Sequence, residues 1–267
     1  MKIIHLSDTH IYTNKIHGID PAERLRKALK HILNNHNDAD LFAITGDITD
    51  LGDKESYKLF LQIIKNARLP QNLNPKLIIG NHDNREEFKI NLPSVETDEN
   101  GFIQYYVEMK NRRFIFIDTN LINTHVGHYC TKRQKWLKKT LDETPINQEV
   151  YIFMHHNPLA LVKDESDGIG LQQKEEFKKI LINYNKNIKH IFFGHQHITS
   201  SGSYCGITFS SPRSTWSPLV PNFSNKYRLG TANTDANYSV AIVRSDALII
   251  HSEDFLKTNV NWFTEDI

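Results

Sequence analysis

The sequence predicts an α/β fold. Short apolar runs alternate with helix-spaced segments over the first two thirds of the chain. Five of those runs end directly in a polar cluster, as strands do when they deliver side chains to one rim of an open sheet.

Taken in order, residues 2–6 read as a buried strand. Asp20-Pro21-Ala22-Glu23 starts a helix, with a carboxylate N-cap, proline at the first helical position and Glu23 placed as in a capping box. Leu25, Ala28, Leu29, Ile32 and Leu33 then repeat at helical spacing. Residues 41–44 form a second strand, 55–67 a second helix and 76–79 a third strand. Residues 102–109 and 113–117 make a hairpin turning at Lys110-Asn111-Arg112. Residues 131–141 are a basic amphipathic helix whose charges read as a solvated face. Strands follow at 150–154 and 189–193, with a helix over 172–182 between them. Residues 200–236, dense in Ser, Pro, Asn and Thr, are expected to form a loop-rich cap or entrance, and 239–250 is an apolar closing segment. No repeat or linker divides the chain, so residues 1–267 are read as one domain.

Composition narrows the function. The chain has 32 basic and 31 acidic residues and a net charge of +1, without the basic excess of a nucleic-acid binder. No stretch approaches the roughly 20 apolar residues of a membrane helix. Residues 1–8 lack an apolar signal core and a small-residue cleavage site, so the expected location is the cytoplasm. Cys130 and Cys205 stand far apart and read as two reduced thiols rather than a disulfide or zinc framework. Six of the 14 histidines fall in short motifs beside Gly, Asp and Asn.

Those motifs are Asp8-Thr9-His10, Gly46-Asp47-Ile48-Thr49-Asp50, Gly80-Asn81-His82-Asp83, His155-His156-Asn157-Pro158 and Gly194-His195-Gln196-His197. Gly46, Gly80 and Gly194 suit tight turns and a close approach of backbone to an ion or phosphate. The pooled donors are oxygen and imidazole nitrogen without thiolate, a set that suits manganese, iron, cobalt or zinc. Their number exceeds what one ion takes, so two divalent metal ions are expected, with Asp47 as the natural bridge. Two metals roughly 3.5–4 Å apart clamp the attacking and leaving oxygens of a phosphoester displacement.

This ordered set resembles the calcineurin-like metallophosphoesterase superfamily, most of all the bacterial class III cyclic-nucleotide phosphodiesterases and the related glycerophosphodiesterases. The resemblance covers residues 1 to about 200 with specific motifs. It implies a four-layer αββα sandwich of two mixed sheets flanked by helices. It implies one metal on Asp8, His10, Asp47 and His197, and a second on Asp47, Asn81, His155 and His195. His82 corresponds to the family's catalytic histidine, facing the scissile phosphate and the leaving group. His156 would be an outer neighbour or face the substrate, and Asp50 and Asp83 would orient ligand histidines. The implied reaction is in-line attack on phosphorus by a hydroxide formed between the metals, with His82 stabilising phosphoryl charge and protonating the alkoxide. Two positions depart from the family pattern: Asn157 stands where proline is usual, and Gln196 where asparagine is frequent.

The expected substrate is a small phosphodiester such as a 3′,5′-cyclic nucleotide. Glycerophosphodiesters, 2′,3′-cyclic nucleotides and phosphomonoesters share the same site requirements, and self-association is left open. A catalytically inactive scaffold would be expected to lack ligands, and all seven are intact. Among the remaining residues, His5 reads as a core histidine or an outer neighbour of the site, and His125, His128 and His17 as ordinary surface-loop residues or candidates for the substrate mouth. His31, His36, His190 and His251 read as structural. Arg213 is a candidate for a substrate phosphate or an ordinary surface arginine. Trp216, Phe223 and Tyr227 are candidates for stacking on a base, or for packing.

Overall fold

The protein is described here by a computed structural model covering residues 1–162, 168–185, 187–223, 229–231 and 234–257. Strand β1 (Lys2–Leu6) leads to helix α1 (Pro21–His36), β2 (Leu41–Thr45) to α2 (Lys54–Ala67), and β3 (Lys76–Ile78) to the short α3 (Arg85–Asn91). Pro21 opens α1 and the Asp20 carboxylate accepts from the Glu23 amide, as the sequence predicts. Helix α3 has no counterpart in the sequence reading. It is seven residues long and buries only Arg85 and Phe88, too little for a periodic signal.

The hairpin pairs β4 (Tyr105–Met109) with β5 (Arg112–Phe116), and Lys110 and Asn111 at its turn both have positive φ, as a twisted two-residue connection requires. There follow α4 (Thr131–Asp142), β6 (Glu149–Phe153), α5 (Lys174–Tyr184) and β7 (Ile188–Phe192). The expectation of loop over 200–236 is corrected in part. Strands β8 (Ser200–Tyr204) and β9 (Ile207–Ser211) form a hairpin, and β9 lies parallel to β7. A small ribbon of β10 (Leu219–Pro221) and β11 (Leu229–Thr231) follows. The closing apolar run is two antiparallel strands, β12 (Tyr238–Val243) and β13 (Leu248–Glu253).

The strands make a five-stranded sheet, β13-β12-β1-β2-β3, and a six-stranded sheet, β4-β5-β6-β7-β9-β8. Both mix parallel and antiparallel pairs. Alternation along each strand sorts the apolar side chains into layers. Ile3, Leu41, Ala43 and Ile78 of the first sheet meet Phe114, Phe116, Phe153 and Phe192 of the second. Their neighbours Ile4, Phe42, Ile44 and Leu77 pack under Leu25, Leu29 and Phe60 of α1 and α2. Ile115, Ile152 and Ile191 pack under Leu137 of α4 and Phe177 and Ile180 of α5. The result is the four-layer αββα sandwich. Cross-strand stacking of Phe116 on Phe153 (4.8 Å between centroids) and Phe153 on Phe192 (4.6 Å) stiffens the inner face. Among the described residues, no helix is long and apolar enough to cross a membrane.

Candidate metal centre

Strands β1, β2 and β3 run parallel, as do β5, β6 and β7, so their following loops collect at one rim. The backbone there is unusual. Of eleven non-glycine residues with positive φ among the described residues, five are Asp8, His10, Asp47, His195 and His197. Such conformations cost roughly 1–3 kcal/mol each and persist only where the surrounding structure over-determines them, as functional sites often do. The glycines permit the crowding: a Cβ on Gly80 would lie 2.2 Å from the Asp47 amide nitrogen, and one on Gly194 1.9 Å from Ser7 Oγ.

Asp8, His10, Asp47 and His197, all buried, each offer a donor atom within 4.8 Å of the others. His197 Nε2 lies 3.4 Å from Asp8 Oδ1, and His10 Nε2 lies 3.2 Å from His197 Nε2 and 3.6 Å from Asp47 Oδ2. A second group adjoins it. His155 Nε2 is 3.0 Å from Asn81 Oδ1 and 3.3 Å from Asp47 Oδ2, and His155, His156 and His195 share a 4.8 Å cluster. Asp47 therefore stands between the two groups.

Hydrogen bonds to acceptors that cannot donate fix each ring's tautomer. His155 Nδ1 donates to the Thr45 carbonyl (2.7 Å), His197 Nδ1 to the Ser217 carbonyl (2.9 Å) and His10 Nδ1 to the Asp50 carboxylate (2.9 Å). Each directs Nε2 toward the centre. His195 is reversed: Nε2 donates to the Ile169 carbonyl at 3.0 Å, leaving Nδ1. Burial alone would raise the Asp47 carboxyl, yet His155, His10 and His82 around it hold it well below the ordinary carboxylate range. Burial would lower His155, but the Asp47 charge outweighs it and draws the ring up to about 9. Burial keeps His10 and His195 below the ordinary histidine range, and so neutral. Burial would lower His197 too, but the Asp8 charge raises it, so a cation would take the place of the second protons on His155 and His197. Two carboxylates, imidazoles oriented toward the centre and an amide oxygen fit divalent cations.

Around this core, His82 donates from Nδ1 to the Asp50 carbonyl at 2.8 Å, and its backbone N–H donates to Asp47 Oδ1 at 2.8 Å. Asp50 thus serves two histidines. Asp83 corrects the expectation that it orients one. Its carboxylate accepts from the amides of Ile48, Thr49 and Gly80 and from the Tyr57 hydroxyl, so it fastens the Asp47 loop to the Asn81 loop. Burial and the nearby Asp47 charge raise it to about 6. His156 Nδ1 lies 2.7 Å from Thr119 Oγ1, and its ring packs 4.6 Å from His195.

His125 meets the Asn81 amide nitrogen at 2.8 Å and, with Asp50, Leu51, Asn81, His82, Asn123 and Thr124, lines an open cleft of about 390 Å³. Trp216 covers His10 at 4.8 Å, and His17 lies beside it. His128 uses its backbone amide on the Thr119 carbonyl. Arg213 pairs with Asp254, which removes it from the substrate role considered for it. Phe223 is 72% exposed, and Tyr227 lies outside the described residues. His5 and His190 are core histidines bonded to hydroxyls, His31 bonds Tyr238, His36 packs on the same tyrosine, and Cys130 and Cys205 are free thiols.

The sequence reading missed one cluster, Asp118-Thr119-Asn120, although it follows β5 as the others follow their strands. Asn120 Nδ2 donates to the Gly80 carbonyl at 2.7 Å. It also missed Ser214 and Thr215, whose hydroxyls donate to the Asp8 and Ser7 carbonyls.

Residues 1–199 match the calcineurin-like phosphoesterase family. The chain belongs to that family. A probable cyclic nucleotide phosphodiesterase of Rhodopseudomonas palustris is 28% identical over 260 residues, covering 96% of this chain and 93% of that one. A probable glycerophosphodiester phosphodiesterase of Arcobacter nitrofigilis is 30% identical over 205 residues, covering 75% and 73%. The crystal structure of a dimetal phosphatase from Danio rerio shares the fold, with a TM-score of 0.70 at 14% identity over 95% of this chain and 96% of that one. As a member of the calcineurin-like phosphoesterases, this chain is a metal-dependent phosphoester hydrolase.

Proposed function

We propose that the protein is a phosphodiesterase with a two-metal centre, acting on 3′,5′-cyclic nucleotides. The observation that carries this is the Asp47 carboxylate, buried and shared between two groups of oriented donors. Asp8, His10, Asp47 and His197 would hold one cation, and Asp47, Asn81, His155 and His195 the other. Manganese, iron, zinc and cobalt all suit these donors. When bound, such cations supply Lewis acidity to phosphoryl oxygens and acidify water.

The chain's own part is positioning and proton handling. Asp50 holds the rings of His10 and His82 from one loop. With Nδ1–H engaged on the Asp50 carbonyl, His82 has Nε2 left for the substrate, at the wall of the open cleft. With the ring doubly protonated, Nε2–H would donate to a phosphoryl oxygen and pass its proton to the departing alkoxide, leaving the neutral Nδ1–H tautomer held by Asp50. His156, bonded to Thr119, backs His195. The Rhodopseudomonas palustris relative, aligned over nearly the whole of both chains, favours the cyclic nucleotide class. The Arcobacter nitrofigilis relative favours a second reading, glycerophosphodiester hydrolysis at the same centre.

The test is turnover by manganese-loaded protein of bis(p-nitrophenyl) phosphate, p-nitrophenyl phosphate and 3′,5′-cyclic AMP. Faster diester than monoester hydrolysis, with cyclic AMP among the substrates, is expected. A dominant monoesterase activity would overturn the phosphodiesterase reading.

A further inference from the structure

Five rings stand in an unbroken row across the site. His125 lies 5.0 Å from His82, His82 4.6 Å from His10, His10 4.8 Å from Trp216, and Trp216 6.4 Å from His17, centroid to centroid. The phosphate would sit at the middle of the row, because His10 belongs to the donor cluster and His82 adjoins it. The two ends differ in chemistry. At the His125 end the cleft is lined mostly by polar groups, Asn81, Asn123 and Thr124 among them. At the other end the Trp216 indole is half-buried with its Nε1 wholly covered, so what it turns to solvent is carbon. The exposed His17 ring lies within 22° of parallel to the indole.

The backbone that carries both rings is fixed. Ser214 Oγ, which donates to the Asp8 carbonyl, accepts the Trp216 amide at 3.0 Å. His17 sits at the tip of a tight turn closed by reciprocal Ile16 and Ile19 hydrogen bonds of 2.9 and 3.0 Å, with φ of 49°. A rigid flat surface one ring away from a phosphate site is what a nucleobase requires, because every base has a π-face and stacking asks for no particular hydrogen bond. We propose that Trp216 and His17 form the subsite for the planar base of a nucleotide substrate, and so set the preference for nucleotide over glycerol diesters. This rests on the phosphodiesterase reading.

The experiment compares kcat/KM for 3′,5′-cyclic AMP and for glycerophosphoethanolamine, which has no ring, in manganese-loaded wild type, Trp216→Leu, Trp216→Phe and His17→Ala. Stacking of one base is worth about tenfold, so the cyclic AMP to glycerol diester ratio is expected to fall about tenfold in Trp216→Leu. Trp216→Phe should recover most of it. His17→Ala, at an exposed tip, should lower the ratio by a smaller factor and serves if Trp216→Leu does not fold. Equilibrium dialysis of adenosine 5′-monophosphate against glycerol 3-phosphate should show the same change in preference. Unchanged ratios in the folded variants, with both diesters turned over, would overturn the subsite. If the wild type hydrolyses neither diester, the phosphodiesterase reading fails, and the dialysis preference still decides whether the base is bound here.

Discussion

Gln196 donates from Nε2 to Asn157 Oδ1 at 3.1 Å, joining the two positions at which this chain departs from the family pattern. Both side chains are buried, one beside His155 and His156 and one between His195 and His197. Asn157→Ala would leave the Gln196 amide without this acceptor, at a cost of roughly 1–3 kcal/mol. The double variant with Gln196→Ala should cost less than the sum of the singles. Urea denaturation of the four proteins checks this, and strict additivity would show that the two positions are independent.

Asp50 is placed to govern metal retention without contributing to the donor cluster around Asp47. Its carboxylate sets the His10 tautomer, so Asp50→Ala should weaken metal binding about 10–100-fold. Metal titration of the apo-protein provides the measurement. An unchanged affinity would show that His10 holds its orientation by packing alone.

His82 should behave in the opposite way. With Nδ1 engaged and Nε2 left for substrate, His82→Ala is expected to lower kcat about 10²–10⁴-fold while metal content stays at the wild-type level. Loss of metal from the purified variant would instead make His82 a ligand.

Asp118 anchors the rim from below. It accepts from Arg85 Nε (3.0 Å) and Nη2 (2.9 Å) and Arg133 Nη1 (3.1 Å), while the Phe102 ring lies 5.5 and 4.6 Å from the two guanidinium carbons. Asp118→Ala strands two buried cations and should destabilise the fold by about 3–5 kcal/mol. A loss below about 1 kcal/mol in urea denaturation would mean that the Asn120 carbonyl, which accepts from both arginines, suffices.

Acid should weaken the fold through its core histidines. Burial lowers His190 to about 3, and burial together with the His190 charge lowers His5 to about 3. The unfolded chain takes up these protons as pH falls below about 6.5, and the folded chain refuses them until about 3. Their contribution is therefore complete above about 6.5 and is lost through that window, at up to about 1.4 kcal/mol per pH unit for each group. His190→Gln should flatten the stability profile between pH about 4.5 and about 7. Parallel profiles for variant and wild type would refute the assignment.

Much of this architecture was legible because buried strands read as near-continuous apolar runs and the polar clusters interrupt them abruptly. Ser200–Tyr204 escaped for the converse reason: it is an edge strand of exposed small and polar residues, with no alternation to detect. Asp83 shows where motif reading stops. Its place beside Asn81 and His82 suggested a histidine partner, but the turn aims its carboxylate at backbone amides. Ser217 and Ile169 could not have been found from residue type, since each serves the centre through a carbonyl that every residue has. Trp216 was visible as an aromatic in a polar segment, and only the fold brought it to His10.

The contacts that build the centre join distant stretches of the chain. His10 and His197, 3.2 Å apart, are separated by 187 positions, and so are Asp8 and the His195 amide that it binds. Closing so long a loop is slow and comes after local structure has formed. During synthesis Asp8 must therefore wait, its carboxylate unmatched, until His195 and His197 have left the ribosome. Cation capture at these donors would thus come late, after the segment carrying His195 and His197 has joined the first strand.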